Sequence, residues 1–191
     1  MTRDMIALIA EDDTDCHAVR KIVHRVLGEK TQIKFWASKG CGTLKKKLSA
    51  KLKILSNEGC HAFIIIHDLD RNPQNNALNH EEKLRKTLEI ASSNMNSVKR
   101  HICIPVEELE AWFWSDPDVV RYVGQGKGEA KVNPHLIIKP KEELIKLSLG
   151  ANKRPRYSTN MNVELAEILN LELCATRCPS FKNLLNFLKT L

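Results

Sequence analysis

A chain of 191 residues suits one domain, or one domain with an appendage. Its 42% hydrophobic and 28% charged residues are those of a soluble globular protein, and no apolar run is long enough to span a bilayer, which argues against a membrane-spanning helix. The net charge of +7, from 30 Lys and Arg against 23 Asp and Glu, is unevenly spread, and that clustering favours a polyanionic partner.

Met1-Thr2-Arg3-Asp4 leads straight into an apolar run, so no signal peptide is expected and a cytoplasmic protein is the default. Met5–Ala10 reads as a first buried strand. It stops at Glu11-Asp12-Asp13-Thr14-Asp15, and a helix follows with Ala18, Ile22, Val23, Val26 and Leu27 on one stripe, closing at Gly28. Asp13 or Thr14 is the expected cap. Glu11 falls at the strand tip and Asp15 in the first helical turn. Acids in those places also complement the helix dipole.

The alternation Ile33/Phe35/Ala37 predicts a second strand. Gly40-Cys41-Gly42-Thr43 then opens a helix expected from about Leu44, with Leu44, Leu48, Leu52 and Leu55 on an apolar stripe. Its other face carries Lys45, Lys46, Lys47, Lys51 and Lys53. Such a face suits phosphate-backbone contact, and equally suits plain solvation.

Phe63-Ile64-Ile65-Ile66-His67-Asp68-Leu69-Asp70 is a largely β-branched run ending in Asp-x-Asp, the pattern of a central strand in a parallel sheet. Residues two apart in a strand share a side, so Asp68 and Asp70 should project together at its carboxyl end, where open α/β sheets bind ligands. Two adjacent carboxylates repel unless a cation lies between them. An Asp-rich turn continuing through Asn72-Pro73 accounts for the same residues without chemistry.

Asn79-His80-Glu81-Glu82 opens a third helix, and His101–Pro105 reads as a fourth strand. Alternating strands and helices imply a parallel sheet with right-handed crossovers. Val106–Asp116 reads as a helix with Glu107 and Glu110 on one face and Leu109, Trp112 and Phe113 on another. Asp116-Pro117 starts a further short helix. Beyond residue 124 the texture turns to flexible and basic stretches, including Lys153-Arg154-Pro155-Arg156, with helices at Lys141–Leu149, Val163–Leu169 and Ser180–Leu188. The expected architecture is therefore a Rossmann-like α/β core over residues 1–124, and a small helical C-terminal cap over 125–191 packed on it. The six cysteines, at 16, 41, 60, 103, 174 and 178, lack zinc-ligand spacing and read as buried thiols in a reducing compartment.

Two family resemblances begin at Glu11. The acidic cluster, the later aspartate and Lys139-Pro140 resemble response-regulator receiver domains, which phosphorylate an aspartate with Mg²⁺. Ile104-Pro105, however, supplies no hydroxyl where receivers carry one. The closer likeness is to the TOPRIM fold of type IA topoisomerases, bacterial primases and OLD-type nucleases. Glu11 and the Asp68/Asp70 pair take the places of its glutamate and Asp-x-Asp, and Asp12 stands where the family has glycine. Asp15 is similar to the acid that helps hold a second metal in OLD-type nucleases. Ile104–Trp112 and Cys178-Pro179-Ser180-Phe181-Lys182 resemble later motifs of standalone TOPRIM-like proteins.

This likeness implies a metal-dependent nuclease using Mg²⁺ or Mn²⁺. Glu11, Asp68 and Asp70 would be its catalytic acids, and Asp15 and Glu107 would complete the metal set. Lys45, Lys46, Lys47, Lys51, Lys153, Arg154 and Arg156 would hold DNA or RNA backbone. It also implies an ATPase partner. The alternatives are a non-catalytic adaptor or regulatory module, and a receiver-like phosphoacceptor.

Overall fold

The computed structural model describes residues 5–72, 74–95 and 98–191, without the side chains of Cys41 and Met95. The expectations for Met1–Asp4, for the turn at Asn72-Pro73 and for the Cys41 thiol fall on or include positions outside the described residues. Four strands, β1 (Met5–Ala10), β2 (Gln32–Ala37), β3 (Cys60–Ile66) and β4 (Lys99–Cys103), form an all-parallel sheet in the order β2-β1-β3-β4. Helices α1 (Asp13–Leu27), α2 (Cys41–Asn57) and α3 (Glu81–Ala91) make the crossovers between them. The α/β class expected from the alternation of elements is the class found.

Both central strands are buried on both faces, which is why they read as unbroken apolar runs. Ile6, Leu8, Ala10, Ile64 and Ile66 face one side; Ala7, Ile9, Phe63 and Ile65 face the other. The second side is closed by α2 and α3 through Leu44, Leu48, Leu52, Leu55 and Leu88. The first is closed by α1 together with the C-terminal helices α6 (Asn162–Ile168), α7 (Leu171–Arg177) and α8 (Pro179–Leu188). Residues beyond 124 thus form much of one layer of the sandwich, sharing a core with β1 and β3. Phe181 and Trp112 meet edge-to-face at 5.0 Å, and Arg25 of α1 donates to the Ala166 and Leu169 carbonyls at the end of α6. No helix among the described residues is long and apolar enough to cross a membrane.

Three local expectations change. The α1 cap is Asp12, whose carboxylate accepts from the Asp15 amide at 3.0 Å. The Val106–Asp116 helix is a 3-10 segment over Leu109–Ser115, and each of its side chains is buried. Glu107 precedes that segment with φ 61°, so Glu107 and Glu110 do not share a helix face. The third is α7, which lies between the two terminal helices expected from the sequence. The short helices α4 (Pro117–Val123), capped by Asp116, and α5 (Pro140–Leu147) complete the chain.

Candidate functional site

The strand order reverses direction between β1 and β3, and the carboxyl ends of those two strands define the crevice where such sheets hold ligands. Glu11 follows β1 there, and His67 and Asp68 follow β3. Backbone ties fix both segments. Gly40, at φ 122°, donates its amide to the Glu11 carbonyl at 3.2 Å. Beyond β3 the chain stays zipped to the segment after β4: the His67 amide reaches the Cys103 carbonyl at 3.1 Å, and the Leu69 amide reaches Pro105 at 2.8 Å. Asp68 sits between those two bonds.

Carboxylates crowd this crevice. Asp15 is 6% exposed, and burial, then the charges of Asp12, Glu110 and Glu11, push its carboxyl up to about 8. Burial, then Asp15, Glu110 and Glu11, likewise hold Asp68 well above the usual carboxylate range. Glu110, 4% exposed, is raised by burial although Asn162 donates to it at 3.1 Å, and the Tyr157 hydroxyl also meets it at 3.3 Å. Asp70 faces solvent; it is raised by burial and Glu11, with His67 and Lys45 opposing. The two members of the Asp-x-Asp pair therefore do not project together as strand alternation would have them: β3 ends at Ile66, both acids follow it, and Asp68 turns an oxygen inward while Asp70 lies at the rim.

One carboxylate oxygen in the crevice, Asp68 Oδ1, is buried with no partner. His67 Nδ1 donates to the Asp68 carbonyl at 2.8 Å and lies 2.9 Å from the buried Glu11 Oε1. Since a carbonyl only accepts, Nδ1 must carry the proton. This leaves His67 Nε2 as the ring's second group, also buried and unpartnered. An all-carboxylate donor set with an orphaned oxygen and mutually raised acids suits a hard divalent cation. Among the described residues no three His, Cys, Asp or Glu side chains already stand as a coordination set, so binding through three of them requires a change of rotamer.

A family match spans residues 10–189 of the chain. The chain belongs to the family described as Domain of unknown function (DUF4276). The DUF4276 match takes in the acids after β1 and β3 and the C-terminal helices alike. No curated protein and no solved structure matches the chain.

Within this DUF4276 chain the structure commits Glu107 elsewhere. One oxygen pairs with the Arg71 guanidinium and the other accepts from the Lys139 amide at 2.8 Å, so the residue braces two loops. Glu110 is the acid of that segment that faces Asp15 and Asp68, a placement set by the 3-10 path that helical spacing in the sequence does not reveal. Glu108 pairs with Lys141 at 2.6 Å. Burial would lower the Lys141 ammonium, but the bond to Glu108 and the charges of Glu108 and Glu110 outweigh it and hold it raised.

The basic residues divide. Lys45 lines a cleft of about 320 Å³ with His67, Asp68 and Asp70. Lys46 and Lys47 are exposed on α2, and Lys51 lies over the Trp36 ring at 5.5 Å. Lys153, Arg154 and Arg156 are exposed and do not line the cleft; Arg156 stacks on Tyr122 at 5.4 Å. Five described cysteines, at 16, 60, 103, 174 and 178, are buried and free. Burial holds the Cys16 thiol up at about 12, which suits the inert packing role read from the sequence.

Proposed function

We propose that this protein is a divalent-cation-dependent phosphodiester hydrolase acting on nucleic acid, the activity that the TOPRIM resemblance implies. The observation that carries the reading is the buried, unpartnered oxygen of Asp68 beside the Glu11 carboxylate at the β1/β3 switch point. Glu11, Asp15 and Asp68 are the residues that would hold Mg²⁺ or Mn²⁺, with Asp70 at the rim and Glu110 in the role that the resemblance implies for Glu107. When bound, such an ion supplies Lewis-acid polarisation of a phosphoryl oxygen. The chain's own contribution is to fix the backbone at Glu11 and around Asp68 through the ties at Gly40, Cys103 and Pro105, and to bring Lys45 to the cleft that Asp68 lines. Lysine there meets phosphate charge without reading base sequence.

A non-catalytic adaptor module is the competing reading, favoured by the lack of a ready coordination set among the described residues. One experiment separates the two. Plasmid DNA, single-stranded DNA and RNA are incubated with purified protein in Mg²⁺ or Mn²⁺, alone and with an ATPase encoded beside it. The hydrolase reading expects cutting by wild type, none by Glu11→Gln or Asp68→Asn, and weaker Mn²⁺ binding by Asp68→Asn in calorimetry. Wild type that cuts none of these substrates sinks it in favour of the adaptor.

A further inference from the structure

We infer that the cleft between α2 and α3 seats one unpaired nucleotide, its phosphate held by Lys45 and Lys83, so that the substrate is single-stranded nucleic acid. The inference rests on the proposed hydrolase reading and adds the substrate class and a binding residue, Lys83.

Four observations converge. The cleft, about 320 Å³, is at the small end of the sizes proteins use for nucleotide-sized ligands, and Asp68 and Asp70 belong to its lining, so it opens from the acid cluster itself. Lys45 comes from α2 and Lys83 from α3, and neither forms an ion pair among the described residues, which leaves two ammonium groups available to an anion. His67 lines the same cleft at 1% exposure with Nε2 unpartnered; a buried polar atom that no protein group satisfies costs free energy unless a ligand or water meets it. Asn79, His80 and Thr87 add further hydrogen-bonding groups around the lysines.

Depth decides the strand state. Asp68 Oδ1 and His67 are buried, so a phosphate that reaches them must descend between the helices. Duplex phosphates are fixed on the outside of a stacked, paired helix. An unpaired strand can splay a nucleotide inward, which is how single strands are commonly read and held.

The test is fluorescence anisotropy with a short labelled oligonucleotide, as a single strand and as its duplex, in EDTA so that nothing is cut. Wild type should bind the single strand about tenfold or more tighter than the duplex. Lys83→Ala should weaken single-strand binding by about tenfold and lower the slope of log affinity against log salt by about 0.7, the loss of one phosphate contact; Lys83→Arg should restore both. Lys83 is exposed on α3, so its replacement leaves the core intact. Equal or tighter duplex binding, an unaffected Lys83→Ala, or no binding of either form overturns the inference. If wild type nicks plasmid in Mn²⁺ while Lys83→Ala binds like wild type, the hydrolase reading stands and the cleft assignment falls. If nothing is cut while Lys83-dependent single-strand binding holds, the reverse is concluded.

Discussion

Asp15→Asn should stabilise the metal-free protein, and increasingly so as the pH rises. In the folded chain the Asp15 carboxyl is raised from 3.8 to about 8 by burial and by Asp12, Glu110 and Glu11. A raised acid keeps its proton in the folded state at a pH where the unfolded chain has released it. Folded protein therefore binds more protons than unfolded protein between those two values, and stability falls as pH climbs through that window. One such group contributes a slope of about 1.4 kcal/mol per pH unit, or roughly 4 kcal/mol between about pH 5 and about pH 8. Asp68 and Glu110 are raised beside it and share the proton, so the part removed with Asp15 is set lower, at roughly 2 kcal/mol. Asparagine keeps the shape, carries no charge and can donate to its acidic neighbours. Urea denaturation of both proteins in EDTA at several pH values measures the gap. A gap that stays constant across that range, or a variant less stable than wild type near pH 8, refutes the crowded-acid account. Adding Mn²⁺ near pH 8 should stabilise wild type more than the variant, because the variant has lost a carboxylate that a cation would neutralise.

Glu107→Gln should cost about 2–4 kcal/mol in the same denaturation assay, by leaving Arg71 without its buried partner, while Mn²⁺ titration of the variant matches wild type; weakened Mn²⁺ binding would return Glu107 to the site. Phe181→Ala should cost about 3–5 kcal/mol and keep a single cooperative transition, since Phe181 is fully buried against Trp112 in the core shared with β1 and β3; two separate transitions would show that the C-terminal helices fold apart from the sheet.

The sequence by itself determined the elements whose signal is local. Met5–Ala10 and the Phe63–Ile66 run declare a doubly covered parallel sheet because strands buried on both faces admit only apolar residues. The α1 stripe and the Leu44–Leu55 stripe declare helices because one face of each must meet that sheet. Glu11 and Asp68 were legible as a pair because both end such strands, and parallel pairing brings the ends of β1 and β3 together. The rest required contacts between residues distant in the chain. Glu107 and Glu110 have the same chemistry and a helical spacing. Only the left-handed backbone at Glu107, and the arrival of Arg71 and Lys139, assign one to bracing and leave the other facing Asp15. His67 reads as the last residue of a strand until the Asp68 carbonyl accepts from its Nδ1–H and Nε2 is left without a partner. Lys83 sits on an ordinary charged helix face until α3 packs beside α2 and brings it to Lys45's cleft. Residues 125–191 read as an appendage because their helices are short and separated by turns. Their burial against α1, β1 and β3 is a property of the assembled layer, and local periodicity carries no information about which layer an apolar stripe will join.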